Sequence, residues 1–331
     1  MLDERKTAIL SAVVQQYIAT AQPVGSTHIA DAPGVHVSSA TVRNEMAVLE
    51  QEGYLVQPHT SAGRIPTDKG YRVFVDHLAG PSQLDDVSRA EVGDFFRSAH
   101  GRLEEMLHHT SDLLAHLTNY AAVVVGPSSE AVAVRRAQVV GLSATMATVV
   151  VVFGNGSVDS QTIELDPGAT DTHLAAASAH LSAGLDGRSL LSVAALAPSG
   201  DGVVDDICRR ALGAVRARSA GEPVYVGGTS AMASAFDAVE VVRDVLRTLE
   251  QHFVVVTLVG DLVHRGLSVA IGGEHGVQPL SACSVVVAPI LVEGERQGSV
   301  GVLGPTRMNY PQALATVEFV STQLARRIEE S

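Results

Sequence analysis

Within the first 80 positions, apolar residues recur at helical spacing in several separate stretches. From Leu2 to Ala19, Ile9, Val13 and Tyr17 fall on one stripe, which predicts a helix. Pro23 and Gly25 break it, Ser26–Ala30 is short and helix-compatible, and residues 31–34 (Asp-Ala-Pro-Gly) form a turn. A second long helix opens at an N-cap serine, Ser38 or Ser39, and closes near Gly53. Tyr54–His59 reads as a short strand, Thr60–Arg64 as a tight polar turn and Ile65–Thr67 as the return. A further helix starts at Thr67, with Tyr71, Phe74, Val75 and Leu78 on one face. Helix, short helix, turn, helix and hairpin is the order of a winged helix-turn-helix.

The rest of the chain predicts a mixed α+β architecture. Residues 82–88 read as a linker, Val92–Leu117 as one long helix and Ala121–Val125 as a buried strand. Residues 134–165 predict a three-strand meander: Val134–Leu142, Ala147–Phe153 and Ser157–Leu165, with residues 154–156 (Gly-Asn-Gly) as a hairpin turn. Ala- and Leu-rich helices follow over Thr172–Leu185, Ser189–Leu196 and Val204–Arg218. Beyond them come a strand (Val224–Gly227), a helix (Val239–Gln251), a strand (Leu267–Ile271), a hairpin (Ser284–Leu291 with Gly298–Leu303) and a last helix, Pro311–Ile328.

At 100° per residue, the second long helix turns Val42, Met46 and Leu49 inward. Ala40, Asn44, Ala47 and Gln51 face outward, flanked by Arg43 and Val48. Glu45 and Glu52 lie back toward the buried side and Glu50 at one edge, so no acid sits at the centre of the outer face. Alanines permit close approach to a groove, Asn and Gln match adenine, and Arg matches guanine. A hairpin after such a helix is a wing, and Arg64 is expected at its tip, where it would meet phosphates or the minor groove. The candidate DNA contacts are therefore Ser39, Thr41, Arg43, Asn44 and Gln51 on the helix, Ser61, Gly63 and Arg64 in the wing, and Lys69 and Arg72 on the helix after it.

Charge removes the easiest argument for that reading. The chain carries 23 Lys and Arg against 36 Asp and Glu, a net charge of −13, which argues against indiscriminate nucleic-acid binding. Residues 1–80 hold six cations and eight acids, so the DNA hypothesis rests on where charges point. Composition otherwise fits a folded protein: 46% of residues are hydrophobic and 18% charged. Two isolated cysteines, Cys208 and Cys283, read as reduced core residues in a cytoplasm. The charged start and the absence of any apolar run of about 18 residues argue against a secretory signal and a membrane span.

Candidate chemistry is sparse. There is no Walker A sequence, nucleophile elbow, HExxH, or GxGxxG between a strand and a helix, so no enzymatic activity is expected. His108, His109 and His116 lack the other ligands of a recognisable metal set, and no metal or other cofactor is expected. Residues 227–230 (Gly-Gly-Thr-Ser) and 272–275 (Gly-Gly-Glu-His) are glycine turns, read either as strand ends or as anion cradles.

Three strings make a more specific pattern: Thr41–Met46 (TVRNEM), Leu49–Leu55 (LEQEGYL) and His59–Arg72 (HTSAGRIPTDKGYR). Together with Ile271–His275 (IGGEH) and Gly298–Pro311 (GSVGVLGPTRMNYP), they resemble the heat-inducible transcription repressor family HrcA, in continuous order over most of the chain. The resemblance implies a winged-helix domain (1–80), a GAF-like domain (81–129 and 223–331) and an inserted dimerisation domain (130–222). It also implies a cytoplasmic homodimer on double-stranded DNA, at the CIRCE inverted repeat upstream of chaperone operons. The implied protein partner is the GroEL chaperonin, and no membrane is involved. The alternative is a winged-helix regulator whose GAF-like domain senses a small molecule.

Overall fold

The computed structural model describes residues 2–59, 62–78, 84–98, 103–127, 132–154, 156–219, 222–229, 236, 239–265 and 268–330. It begins with α1 (Glu4–Thr20), α2 (Ser26–Ala30) and α3 (Ser39–Gln51), then strands β1 (Leu55–Val56) and β2 (Ile65–Pro66), then α4 (Asp68–Asp76). The two strands pair antiparallel, Leu55 opposite Pro66 and Val56 opposite Ile65. Caps set the helix starts. Ser38 accepts the Thr41 N–H at 3.2 Å, and Thr67 accepts the Gly70 N–H at 3.2 Å while donating its hydroxyl to the Gly53 carbonyl at 2.7 Å. The expected inward stripe is buried: Val42, Met46 and Leu49 are at most 1% exposed. Burying a side chain of that size contributes about 2 kcal/mol.

Two helices, α5 (Asp86–Ser98) and α6 (Leu103–Thr118), occupy the stretch expected to form one, and residues 99–102 lie outside those described. The expected linker ends early, because Asp85 caps α5 by accepting the Ser88 N–H at 2.9 Å and its hydroxyl at 2.7 Å. After α6 comes β3 (Ala121–Val125), an inner strand of an antiparallel five-stranded sheet with β7 (Val224–Gly227), β8 (Val269–Ile271), β9 (Cys283–Val292) and β10 (Glu295–Pro305). The order across it is β7-β3-β10-β9-β8. Alternate residues feed two cores. Ala122, Val124, Val286, Val300 and Val302 join α6, the C-terminal helix and the N-terminal unit. Ala121, Val123, Val285, Val287 and Leu303 face the helices on the other side. Those are Val239–Leu249 and His252–His264, and the latter was not foreseen from the sequence. The C-terminal helix is Tyr310–Glu329.

The third core is separate. β4 (Val134–Ser143), β5 (Met146–Phe153) and β6 (Val158–Glu164) form the expected meander, covered on one face by α7 (Asp171–Leu185) and α8 (Gly202–Ser219). In chain order the later helices are then α9 (Val239–Leu249), α10 (His252–His264) and α11 (Tyr310–Glu329). The helix expected over Ser189–Leu196 shrinks to one turn, Leu190–Ser192. Arg216 donates to the Leu190 and Ala194 carbonyls at 3.0 and 3.1 Å, taking acceptors that a longer helix would use internally.

Candidate nucleic-acid interface

The exposed side of α3 carries Ser39, Ala40, Arg43, Asn44 and Gln51, all open to solvent. Among the described residues, the side chains of Arg43, Asn44 and Gln51 have no hydrogen-bond or ion-pair partner. Thr41 is half-buried, and its hydroxyl lies 3.0 Å from that of the Ser38 cap, so part of its bonding capacity is used in starting the helix.

Both acids of α3, and the Glu52 that caps its C-terminus, are paired. Arg5 reaches Glu45 at 2.6 Å, Arg64 reaches Glu50 at 2.9 Å and Lys6 reaches Glu52 at 3.7 Å. Such surface pairs contribute little stability, typically about 0–1 kcal/mol each. Their larger consequence is electrostatic. Three carboxylates that would repel a phosphate backbone are neutralised, and Arg43 remains as the uncommitted charge of the helix. Sequence reading missed Arg5 and Lys6, because their partners lie some 40 positions away and no spacing rule joins them.

The remaining candidates sit differently from expectation. Arg64 is at the base of the hairpin, not its tip. Its backbone exchanges both hydrogen bonds with Val24 at 2.9 Å, and its side chain is 16% exposed against Glu50. Gly63 lies beside it, where a Cβ would fall 2.4 Å from the Val24 carbonyl oxygen, so close backbone approach explains the glycine. Ser61 lies outside the described residues. Lys69 folds back over the Tyr54 ring, 4.1 Å from its centroid, and donates to the Glu52 carbonyl at 2.8 Å.

Arg72 is engaged with the five-stranded sheet. Its Nε donates to Glu274 Oε1 at 2.9 Å, and one terminal nitrogen donates both to the other carboxylate oxygen and, at 2.9 Å, to the Val269 carbonyl. Burial pushes the Glu274 carboxyl upward, but the hydrogen bonds from Arg72 and the Ile271 N–H, with the Arg72 charge, outweigh it and leave the acid below its usual range.

The glycine turns are packed. The Cβ position of Gly272 is filled by the Asp68 carboxylate and that of Gly227 by the backbone of Ser111, while Ser230 lies outside the described residues. Among the described residues, no three His, Cys, Asp or Glu side chains are gathered so as to hold a metal ion. No helix of the described residues is long and apolar enough to cross a membrane.

Residues 104–314 match the family described as HrcA protein C terminal domain. The chain is 38% identical over 339 residues to the heat-inducible transcription repressor HrcA of Nocardia farcinica, spanning 99% of this chain and 97% of that one. It is 39% identical over 328 residues to the repressor of the same name from Mycobacteroides abscessus, spanning 96% of each. A solved structure of a hypothetical protein aligns with 100% of this chain and 99% of its own length, with a TM-score of 0.70 and 23% identity, which shows a shared fold.

Proposed function

The chain belongs to the HrcA family of heat-inducible transcription repressors, and from that premise we propose that it represses chaperone operons by binding the CIRCE inverted repeat as a homodimer. In this reading residues 1–80 are a winged helix with α3 as the reading helix. Residues 81–129 and 223–331 are a GAF-like domain, and residues 130–222 are an inserted dimerisation domain. The observation that carries the reading is the face of α3: Arg43, Asn44 and Gln51 uncovered, small alanines between them, and its two acids and the Glu52 at its C-cap neutralised from outside the helix.

Two copies are required because one winged helix spans too few base pairs for usable specificity. Support for self-association comes from the uncovered face of the β4-β5-β6 sheet. Val140, Leu142, Met146 and Val158 stand exposed there, an apolar surface of the kind monomers seldom leave open. The GroEL chaperonin is the protein partner, and the repressor acts in the cytoplasm, where its operators are. Ser39 and Thr41, at the N-terminus of the reading helix, are the candidates for backbone contact.

Transcription in a purified system tests the whole reading. On a template bearing the inverted repeat upstream of a chaperone gene, the chain lowers transcript, free GroEL reduces the amount needed, and GroEL loaded with unfolded protein does not. Undiminished transcript at saturating protein would sink it.

A further inference from the structure

One stripe of α4 joins the N-terminal unit to the sheet. Asp68, Tyr71 and Arg72 lie at helical spacing on it. Arg72 grips both oxygens of Glu274 and the carbonyl of edge strand β8. Glu274 is itself fixed by accepting the Ile271 N–H at 2.9 Å, so the acid is presented by its own turn. Beside this pair the Tyr71 ring packs on Tyr310 with centroids 5.9 Å apart, and Asp68 fills the space where only glycine, Gly272 at φ +54°, leaves room.

The docking is incomplete elsewhere. Among the described residues the buried Tyr71 hydroxyl has no hydrogen-bond partner, which subtracts from the gain of packing it. A cleft of about 570 Å³ separates α1 from the sheet along Gln15, Ile18, Tyr120 and Asn309. The unit is therefore held firmly at one corner and loosely at another, and a forked guanidinium–carboxylate pair fixes direction as well as distance.

We propose that Arg72 and Glu274 are a positioning pair that sets the direction of α3 relative to the rest of the subunit, and so determines which half-site separation the dimer accepts. This rests on the inverted-repeat reading above. Adding one base pair between half-sites moves them about 3.4 Å apart and turns one by about 34°, a change that a rigidly held pair of reading helices resists and a loosely held pair absorbs. On this view Arg72 acts on specificity without touching a phosphate.

The test uses the full-length chain and Glu274→Gln, whose amide oxygen can still accept the Ile271 N–H. Spin labels at Asp31→Cys and Arg326→Cys, both exposed, report the distance between the two parts; Cys208 and Cys283 are buried. The expected result is one narrow distance distribution, broadened by Glu274→Gln. In parallel, inverted repeats with spacers lengthened by one and two base pairs are titrated. The unchanged protein loses at least tenfold in affinity, Glu274→Gln loses under threefold, and both bind an isolated half-site equally. Arg72→Lys, which keeps the charge but not the fork, broadens likewise. Unchanged distance width, or an unchanged spacer preference in Glu274→Gln, overturns the pair's role. If the unchanged protein shows no spacer preference, the inverted-repeat reading fails and the label distances alone decide whether the pair positions the unit.

Discussion

At the scale of residues, function depends on which side chains are committed and which are left free. Asn44 is exposed and uncommitted at the centre of the α3 face, so Asn44→Ala is expected to cost about 1–3 kcal/mol at one base pair of each half-site and little elsewhere. Affinities for a set of single-base variants check this, and a uniform loss over all of them would place Asn44 on the backbone. His275 makes a second case. Its Nε2 faces the Leu280 carbonyl at 3.0 Å and its Nδ1 accepts the Val277 N–H at 3.2 Å, an arrangement of the neutral ring. Burial holds its pKa below the ordinary 6.5, against opposing effects of the Leu280 and Cys283 backbone and the charges of Glu274 and Asp68. A depressed folded-state value means the unfolded chain binds the proton more readily. His275 therefore contributes full stability above about pH 6.5, and loses it as the pH falls below that value. Melting temperature is expected to drop from pH 7.5 to 5.5, with a flatter profile in His275→Gln. Equal slopes for the two proteins would remove His275 as the cause. Glu274, also depressed, acts in a lower window, below the ordinary carboxylate value of 4.5.

Elements were legible where one face is buried and the other wet. The stripe of Val42, Met46 and Leu49 gave α3 its inward side, and alternation gave the β4-β5-β6 meander. Legibility failed where periodicity does. In α10, for which the sequence pattern suggested no element, Val255, Leu258, Val259 and Leu262 are buried against the sheet in a helix with little polar contrast around it. It failed again where a distant side chain decides, as when Arg216 truncates the helix after Ser189. Arg64 and Arg72 show the same limit within the candidate site, since Glu50 and Glu274 orient them and neither partner is a sequence neighbour. A prediction belongs to the open face of β4-β5-β6. Leu142, at 60% the most exposed of its apolar residues, becomes charged in Leu142→Glu. Light scattering is expected to show a monomer at concentrations where the proposed dimer of the unchanged chain forms, with affinity for the inverted repeat falling toward that of one half-site. A dimer that persists would move the interface elsewhere.

At the scale of the whole molecule, an acidic chain with a net charge of −13 must bind a polyanion by selection of face. The three cations nearest α3 neutralise its own acids, Lys69 lies on Tyr54, and Arg72 is held by the sheet, so Arg43 is left as the free cation of the described reading unit. Two such arginines in a dimer predict that the logarithm of affinity falls with the logarithm of salt at a slope of about −2, shallow for a DNA-binding protein. The direct measurement is a titration of labelled CIRCE duplex and a scrambled duplex of equal length across a salt series. The expected result is that shallow slope, with the inverted repeat favoured by at least about 10³-fold at physiological salt. Equal affinity for the two duplexes would contradict a reading helix that selects by its amides and small residues.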